Sequence, residues 1–126
     1  MNFKHCLLAF VMMIASPAWA DWELLGNAQG DEVYIDMTTL RIDNSLRRVW
    51  TLTNLKKKGS QGEMSVRVLR EIDCKNERTR SLAMTGFTGA MSDGEMLPTY
   101  RGDNDPWDYI APRTVAHAIY LRACRK

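Results

Sequence analysis

Residues 64–74 read M-S-V-R-V-L-R-E-I-D-C, and their side chains alternate in character. Val66, Val68, Arg70, Ile72 and Cys74 fall on one side, and Ser65, Arg67, Leu69, Glu71 and Asp73 on the other. Mostly apolar against mostly polar at period two predicts a half-buried β-strand. Residues 46–55 (L-R-R-V-W-T-L-T-N-L) repeat the signature, with Leu46, Trp50 and Leu52 opposite Arg47, Thr51 and Thr53. The polar, glycine-bearing 56–62 (K-K-K-G-S-Q-G) has the length of a hairpin connection. Lys75-Asn76-Glu77 turns the chain into a further strand over 78–88, which Gly86 and Gly89 bend or end. Two short connections make these three strands an antiparallel meander with 64–74 in the middle.

The flanks are less regular. Residues 21–26 (D-W-E-L-L-G) and 32–36 (E-V-Y-I-D) read as two short strands joined by the turn chemistry of N-A-Q-G-D. Thr38-Thr39-Leu40-Arg41 breaks the second strand, and Asp43-Asn44-Ser45 is another turn. Residues 89–106 are irregular, with one short strand at 96–100. Val115–Cys124 then reads as a helix: Thr114 suits its N-cap, and Val115, Ala118 and Ile119 recur at helical spacing. Arg122, Arg125 and Lys126 lie where the helix dipole favours positive charge. The predicted fold class is α+β: a single antiparallel β-sheet of about six strands with a C-terminal α-helix packed on it.

The first twenty residues change how the rest is counted. Lys4 and His5 precede the apolar run C-L-L-A-F-V-M-M-I-A, and Ser16-Pro17-Ala18-Trp19-Ala20 ends in the small-x-small pattern of a signal-peptidase site. The run is shorter than the roughly 20 residues a membrane anchor needs. Cleavage after Ala20 is expected, leaving residues 21–126 as one domain. Cys6 stands at the start of the apolar run, whereas a lipoprotein signal places its cysteine after the run, so no lipid anchor is expected. Lys4 is the one leader residue among the 17 basic ones, which leaves 16 against 15 acidic residues and a net charge of +1. So small a charge gives no field for recruiting nucleic acid.

Export also changes the cysteine arithmetic. Cys74 and Cys124 are the two that remain, and an even, small number in an exported domain reads as a disulfide rather than a metal site. A bridge closing about 50 residues restricts the unfolded chain by roughly 4 kcal/mol on the entropy model. It would fasten a helix that is too short to be stable alone.

Several of these residues together resemble a known family. They are Tyr34-Ile35-Asp36 in an early aromatic strand, Val49-Trp50-Thr51-Leu52, and the strand end Glu71-Ile72-Asp73-Cys74. Trp107, Ile110, Pro112 and Thr114, leading to Cys124, complete the set. In order and spacing they are similar to the surface-adhesin E-like domain of Gram-negative bacteria. The resemblance implies a six-stranded antiparallel sheet with a disulfide-tied C-terminal helix. It also implies a non-enzymatic domain that recognises host matrix or serum proteins.

The candidate chemistry is correspondingly sparse. His117 is the one histidine after the leader, no thiol is expected to be free, and no nucleophile-and-base pattern occurs, so no catalytic residue is expected. Asp103, Asp105 and Asp108 lack the glycine and distal glutamate of a calcium loop, and neither metal nor cofactor is expected. Lys56, Lys57 and Lys58 sit at a hairpin tip, with Arg47, Arg67 and Arg80 as neighbours on an open sheet face. They are the candidate contact for an acidic protein or anionic glycan. Arg101-Gly102-Asp103 is the tripeptide that integrins read, set in turn chemistry. The expected function is an exported binding domain, periplasmic or secreted, without a membrane anchor and able to pair as a homodimer. The alternative is a periplasmic accessory or structural protein for envelope assembly or stress.

Overall fold

The computed structural model describes residues 20–102 and 105–125. The first nineteen residues of the expected leader therefore lie outside the described residues, as do Asp103 and Asn104.

The meander forms as its alternation predicts. The strands are β1 (Glu23–Ala28), β2 (Asp31–Asp43), β3 (Leu46–Asn54), β4 (Ser65–Asp73), β5 (Arg78–Phe87), β6 (Tyr100–Arg101) and β7 (Asp108–Tyr109), followed by helix α1 (Val115–Cys124). All pairings are antiparallel, in the order β1-β2-β3-β4-β5-β6, and β7 also pairs with β5. β4 is thus an interior strand, hydrogen-bonded on both sides.

β2 is longer than its sequence suggests. The chain stays in the sheet through Thr38–Arg41 because the polar side chains supply the bonds that a register shift between Asp36 and Arg41 removes. Thr39 Oγ1 donates to the Asp36 carbonyl and accepts from the Trp50 amide, while Asp36 Oδ1 accepts from the Thr38 amide. Threonines that looked like a break are the splice of a bulge.

The hydrophobic cluster under the helix lies on one side of the sheet. α1 crosses β1, β2 and β3 and buries Ile119 and Ala123 against Ile35, Val49 and Ile72. Cys74, directly after β4, is disulfide-bonded to Cys124 with 5.8 Å between Cα atoms, so the bridge fastens the helix end to the middle of the sheet. Arg122 adds an exposed ion pair to Glu23 of β1.

Thr114 caps α1 as its sequence position predicts: its Oγ1 accepts from the His117 amide at 3.2 Å and donates to the Ala111 carbonyl at 2.7 Å. Thr114→Ala is expected to cost about 1 kcal/mol, and Thr114→Ser to retain most of it, measured as the shift in urea midpoint. Equal midpoints for the alanine variant and the wild type would mean that the cap contributes nothing.

The second face of the sheet is not the solvated surface that the polar side of β4 suggests. Ser65, Glu71 and Asp73 are all buried. They are covered by their own ion pairs, by Trp107 and by the 3₁₀ turn Ala90–Ser92.

Candidate functional site

Cross-strand partners share a face, so the register sorts the side chains. Ile35, Thr51, Val68 and Met84 form one row on the helix side. Leu24, Tyr34, Leu52, Arg67 and Thr85 form a row on the opposite side. From β3, β4 and β5 this opposite side carries four arginines: Arg48, Arg67, Arg78 and Arg80. Arg47 is not among them. It faces the helix side beside Ile72, and its guanidinium is spent on the carbonyls of Asn44 and Leu46.

Three of the four arginines are neutralised locally. Arg48, Glu71 and Arg80 stand directly opposite one another on β3, β4 and β5. Glu71 accepts from Arg48 Nε at 2.8 Å and from Arg80 Nη2 at 2.7 Å. Burial pushes the Glu71 carboxyl up, but hydrogen bonds and charge from the two arginines outweigh it and hold the group below its ordinary value. Asp73, at the strand end, accepts from the Asn76 side chain at 2.9 Å, from Arg78 Nε at 2.9 Å and from the Lys75 amide at 3.1 Å. The Asn76 bond is the leading cause of its lowered pKa; burial opposes it and the Arg78 bond adds to it. The indole of Trp107 lies 4.7 Å from the Arg78 guanidinium and 4.3 Å from that of Arg80, roofing the ion pairs at cation–π distance. Beyond it Tyr109 is 86 % exposed.

Arg67 is different. Its guanidinium carbon lies 5.0 Å from the Trp50 ring and 5.4 Å from the Phe87 ring. Among the described residues it makes no ion pair, and its buried Nε has no acceptor. It forms the floor of a cleft of about 720 Å³ whose walls are Ala20, Trp22 and the segment from Ala90 to Asp93.

That segment is held in an unusual conformation. Met91 and Ser92 both have left-handed backbones, at φ 54° and 63°. Such angles are uncommon for residues other than glycine and persist where surroundings over-determine them. The surroundings here are two buried side chains of the sheet. Asn54 accepts from the Met91 amide at 2.8 Å, and Ser65 Oγ accepts from the Ser92 amide at 3.0 Å while donating to the Gly89 carbonyl at 2.6 Å. The polar ends of β3 and β4 thus serve to pin a wall of the cleft.

The site residues expected from sequence are placed elsewhere. Lys56, Lys57 and Lys58 are exposed in the β3–β4 connection, and the Lys56 amide donates to Asp31. Arg101 is exposed in β6, but Gly102 is buried with its amide bonded to the Leu82 carbonyl, and Asp103 lies outside the described residues. Asp105 accepts from the Tyr100 hydroxyl at 2.9 Å. His117 is half-buried against Tyr120, with ring centroids 6.1 Å apart. Among the described residues, no three His, Cys, Asp or Glu side chains come together as a cation site.

The sequence pattern puts Arg67 and Arg80 on an open face, but does not show the layer that they form with Arg48, Arg78, Trp50, Phe87 and Trp107. Part of it was within reach. The short turn after β4 fixes the hairpin register, and that register sets Glu71 against Arg80 and Asp73 against Arg78. The Arg67 sandwich was not, because it depends on the longer β3–β4 connection and on the packing of Phe87.

Comparison with known proteins agrees with this architecture. The profile of the surface-adhesin protein E family matches residues 22–125. Among solved structures, crystal form II of Haemophilus influenzae protein E aligns with a TM-score of 0.58 at 16 % identity, covering 73 % of this chain and 79 % of that one. Protein E from non-typeable Haemophilus influenzae aligns at 0.56 and 15 % identity, covering 80 % and 74 %. No curated protein sequence matches the chain.

Proposed function

The chain belongs to the surface-adhesin protein E family, and from that premise we propose that it is an exported, non-catalytic binding domain that recognises host matrix or serum proteins. The observation that carries this reading is the sheet face opposite the helix. Arg48, Arg78 and Arg80 stand there beside Trp107 and the exposed Tyr109. Arginine and aromatic side chains are the types that dominate protein–protein binding energy. The ion pairs fix the arginines in place, so little side-chain entropy remains to be lost when a partner docks. Lys56, Lys57 and Lys58, exposed at the loop beyond β3, offer a further contact for an acidic protein or anionic glycan. Among the described residues no helix is long and apolar enough to cross a membrane.

Capture of purified matrix and serum proteins by the immobilised domain tests the reading. Wild-type protein is expected to retain at least one of them, and the pair Trp107→Ala, Tyr109→Ser to weaken that binding by about tenfold with an unchanged circular dichroism spectrum. Undiminished binding by the pair would move the interface off this face. Protease treatment of intact cells supplies the second arm. A protein that resists digestion until the outer membrane is opened, and retains no host protein, is the periplasmic accessory rather than an adhesin.

A further inference from the structure

We propose that the cleft above Arg67 binds a small organic carboxylate carried on an aromatic or branched apolar group. This site stands independently of any macromolecule that the rest of the face recognises.

The charge pattern comes first. Glu71 and Asp73 neutralise Arg48, Arg80 and Arg78, while Arg67 alone of these four arginines has no carboxylate partner among the described residues. The Trp50 and Phe87 rings lie beside its guanidinium at cation–π distance, and the residue lines the cleft. A held, unpaired guanidinium matches the planar, forked geometry of a carboxylate.

Unsatisfied polar atoms mark the same place. Among the described residues, two buried side-chain polar atoms have no hydrogen-bond partner: Arg67 Nε and Ser92 Oγ. Both residues line this cleft. Buried polar groups are nearly always paired, so two orphans around one cavity point to an occupant with acceptor oxygens. Both atoms are closed off in the free protein, so each gains a partner only as its side chain re-orients towards an oxygen in the cleft.

The walls define the rest of the ligand. Trp22 and Met91 offer apolar surface, which suits an aromatic or branched body. The volume of about 720 Å³ lies within the range of small-molecule sites. Asp93 at the rim disfavours a doubly charged phosphate, since one cation would face two negative charges and a third beside them. The turn that supplies Met91 and Ser92 is already locked by Asn54 and Ser65, so the wall needs no ordering on binding. Removal of a leader after Ala20 would take Ala20 out of the wall and open the cleft at that end, leaving Trp22 and the segment from Ala90 to Asp93 around Arg67. It would also leave the new α-ammonium of Asp21 at the opening, which adds to the attraction for an anion.

The test is an NMR titration of the exported, isotope-labelled protein with 3-phenylpropionate, following the Arg67 Nε–H and Trp22 indole signals. Saturable shifts at both are expected, with 3-phenylpropionamide and inorganic phosphate at least about tenfold weaker. Arg67→Gln is expected to weaken binding by about tenfold or more, and Ser92→Ala by about threefold. Ser92→Ala removes an atom with no partner in the free protein, so it remains informative should Arg67→Gln fail to fold. A peptide ending in phenylalanine, with and without its free carboxylate, separates the two sources of the group. Tighter binding by the free-acid peptide than by 3-phenylpropionate identifies a chain terminus, and equal binding identifies a free acid. Absence of shifts at millimolar carboxylate, or equal shifts with the amide, would overturn the proposal.

Discussion

Serine at both Cys74 and Cys124 is expected to lower the stability of the domain by about 4 kcal/mol at neutral pH. The bridge closes a loop with a sequence separation of 50, and on the chain-entropy model that constraint acts mainly on the unfolded chain. A loss of this size is a large part of the roughly 5–15 kcal/mol by which domains are stable. It corresponds to a fall in Tm of about 15–30 °C for a domain near 100 residues. The effect is this large because little else holds α1. A ten-residue helix is marginal alone, and it buries only Ile119 and Ala123 fully. Those two side chains in turn cover Ile35, Val49 and Ile72, so release of the helix exposes the middle of the core. Denaturant midpoints for the wild type, the reduced wild type and the double variant measure this. The last two should coincide. A double variant within 1 kcal/mol of the oxidised wild type, the scale of an ordinary surface substitution, would show that sheet and helix packing suffice.

How much of this was legible beforehand depends on which physical signal each feature carries. The strands β3, β4 and β5 and the helix α1 follow from local periodicity, turn residues and a cap, and those signals are written in consecutive residues. The disulfide follows from export and from having two cysteines to pair. β2 was cut short because Thr38 and Thr39 read as a break. The Thr39 hydroxyl can stand in for a backbone partner of Trp50 only when Trp50 is alongside, a tertiary fact. The candidate site was less legible still. Polar residues on β4 signal a solvated face until the opposite charges on β3 and β5 are aligned with them, and Arg48 reaches Glu71 only through the β3–β4 register. The left-handed turn at Met91 and Ser92 leaves no sequence trace, since neither residue favours that conformation and the side chains that pin it, Asn54 and Ser65, are distant in sequence. A run of lysines in a loop is visible in one dimension, whereas an arginine beside two aromatic rings is not.

Glu71→Gln is expected to cost about 3 kcal/mol at pH 7, the lower end for breaking a buried ion pair, because Arg48 keeps access to water. The substitution preserves shape but leaves Arg80 and Arg48 without their shared negative partner. The pH dependence separates this electrostatic loss from a packing defect. The folded pKa of Glu71 lies below its unfolded value, since the two arginines outweigh burial. Its contribution is therefore complete above the unfolded carboxylate value of about 4.3 and is lost as pH falls through the lower folded value. Asp73, depressed by Asn76 and Arg78 against burial, acts in the same direction. Wild-type stability should thus fall on acidification below about pH 4.5, and Glu71→Gln should flatten that fall without abolishing it. Parallel acid limbs in the two proteins would mean that Glu71 is not held as a carboxylate by its neighbours. Removing the whole triad is the sharper comparison. A variant with Arg48→Met, Glu71→Leu and Arg80→Met replaces the charges by apolar volume, which elsewhere is neutral or stabilising. If it folds as stably as the wild type yet captures no partner, the triad serves to present arginines beside Trp107 rather than to hold β3, β4 and β5 together.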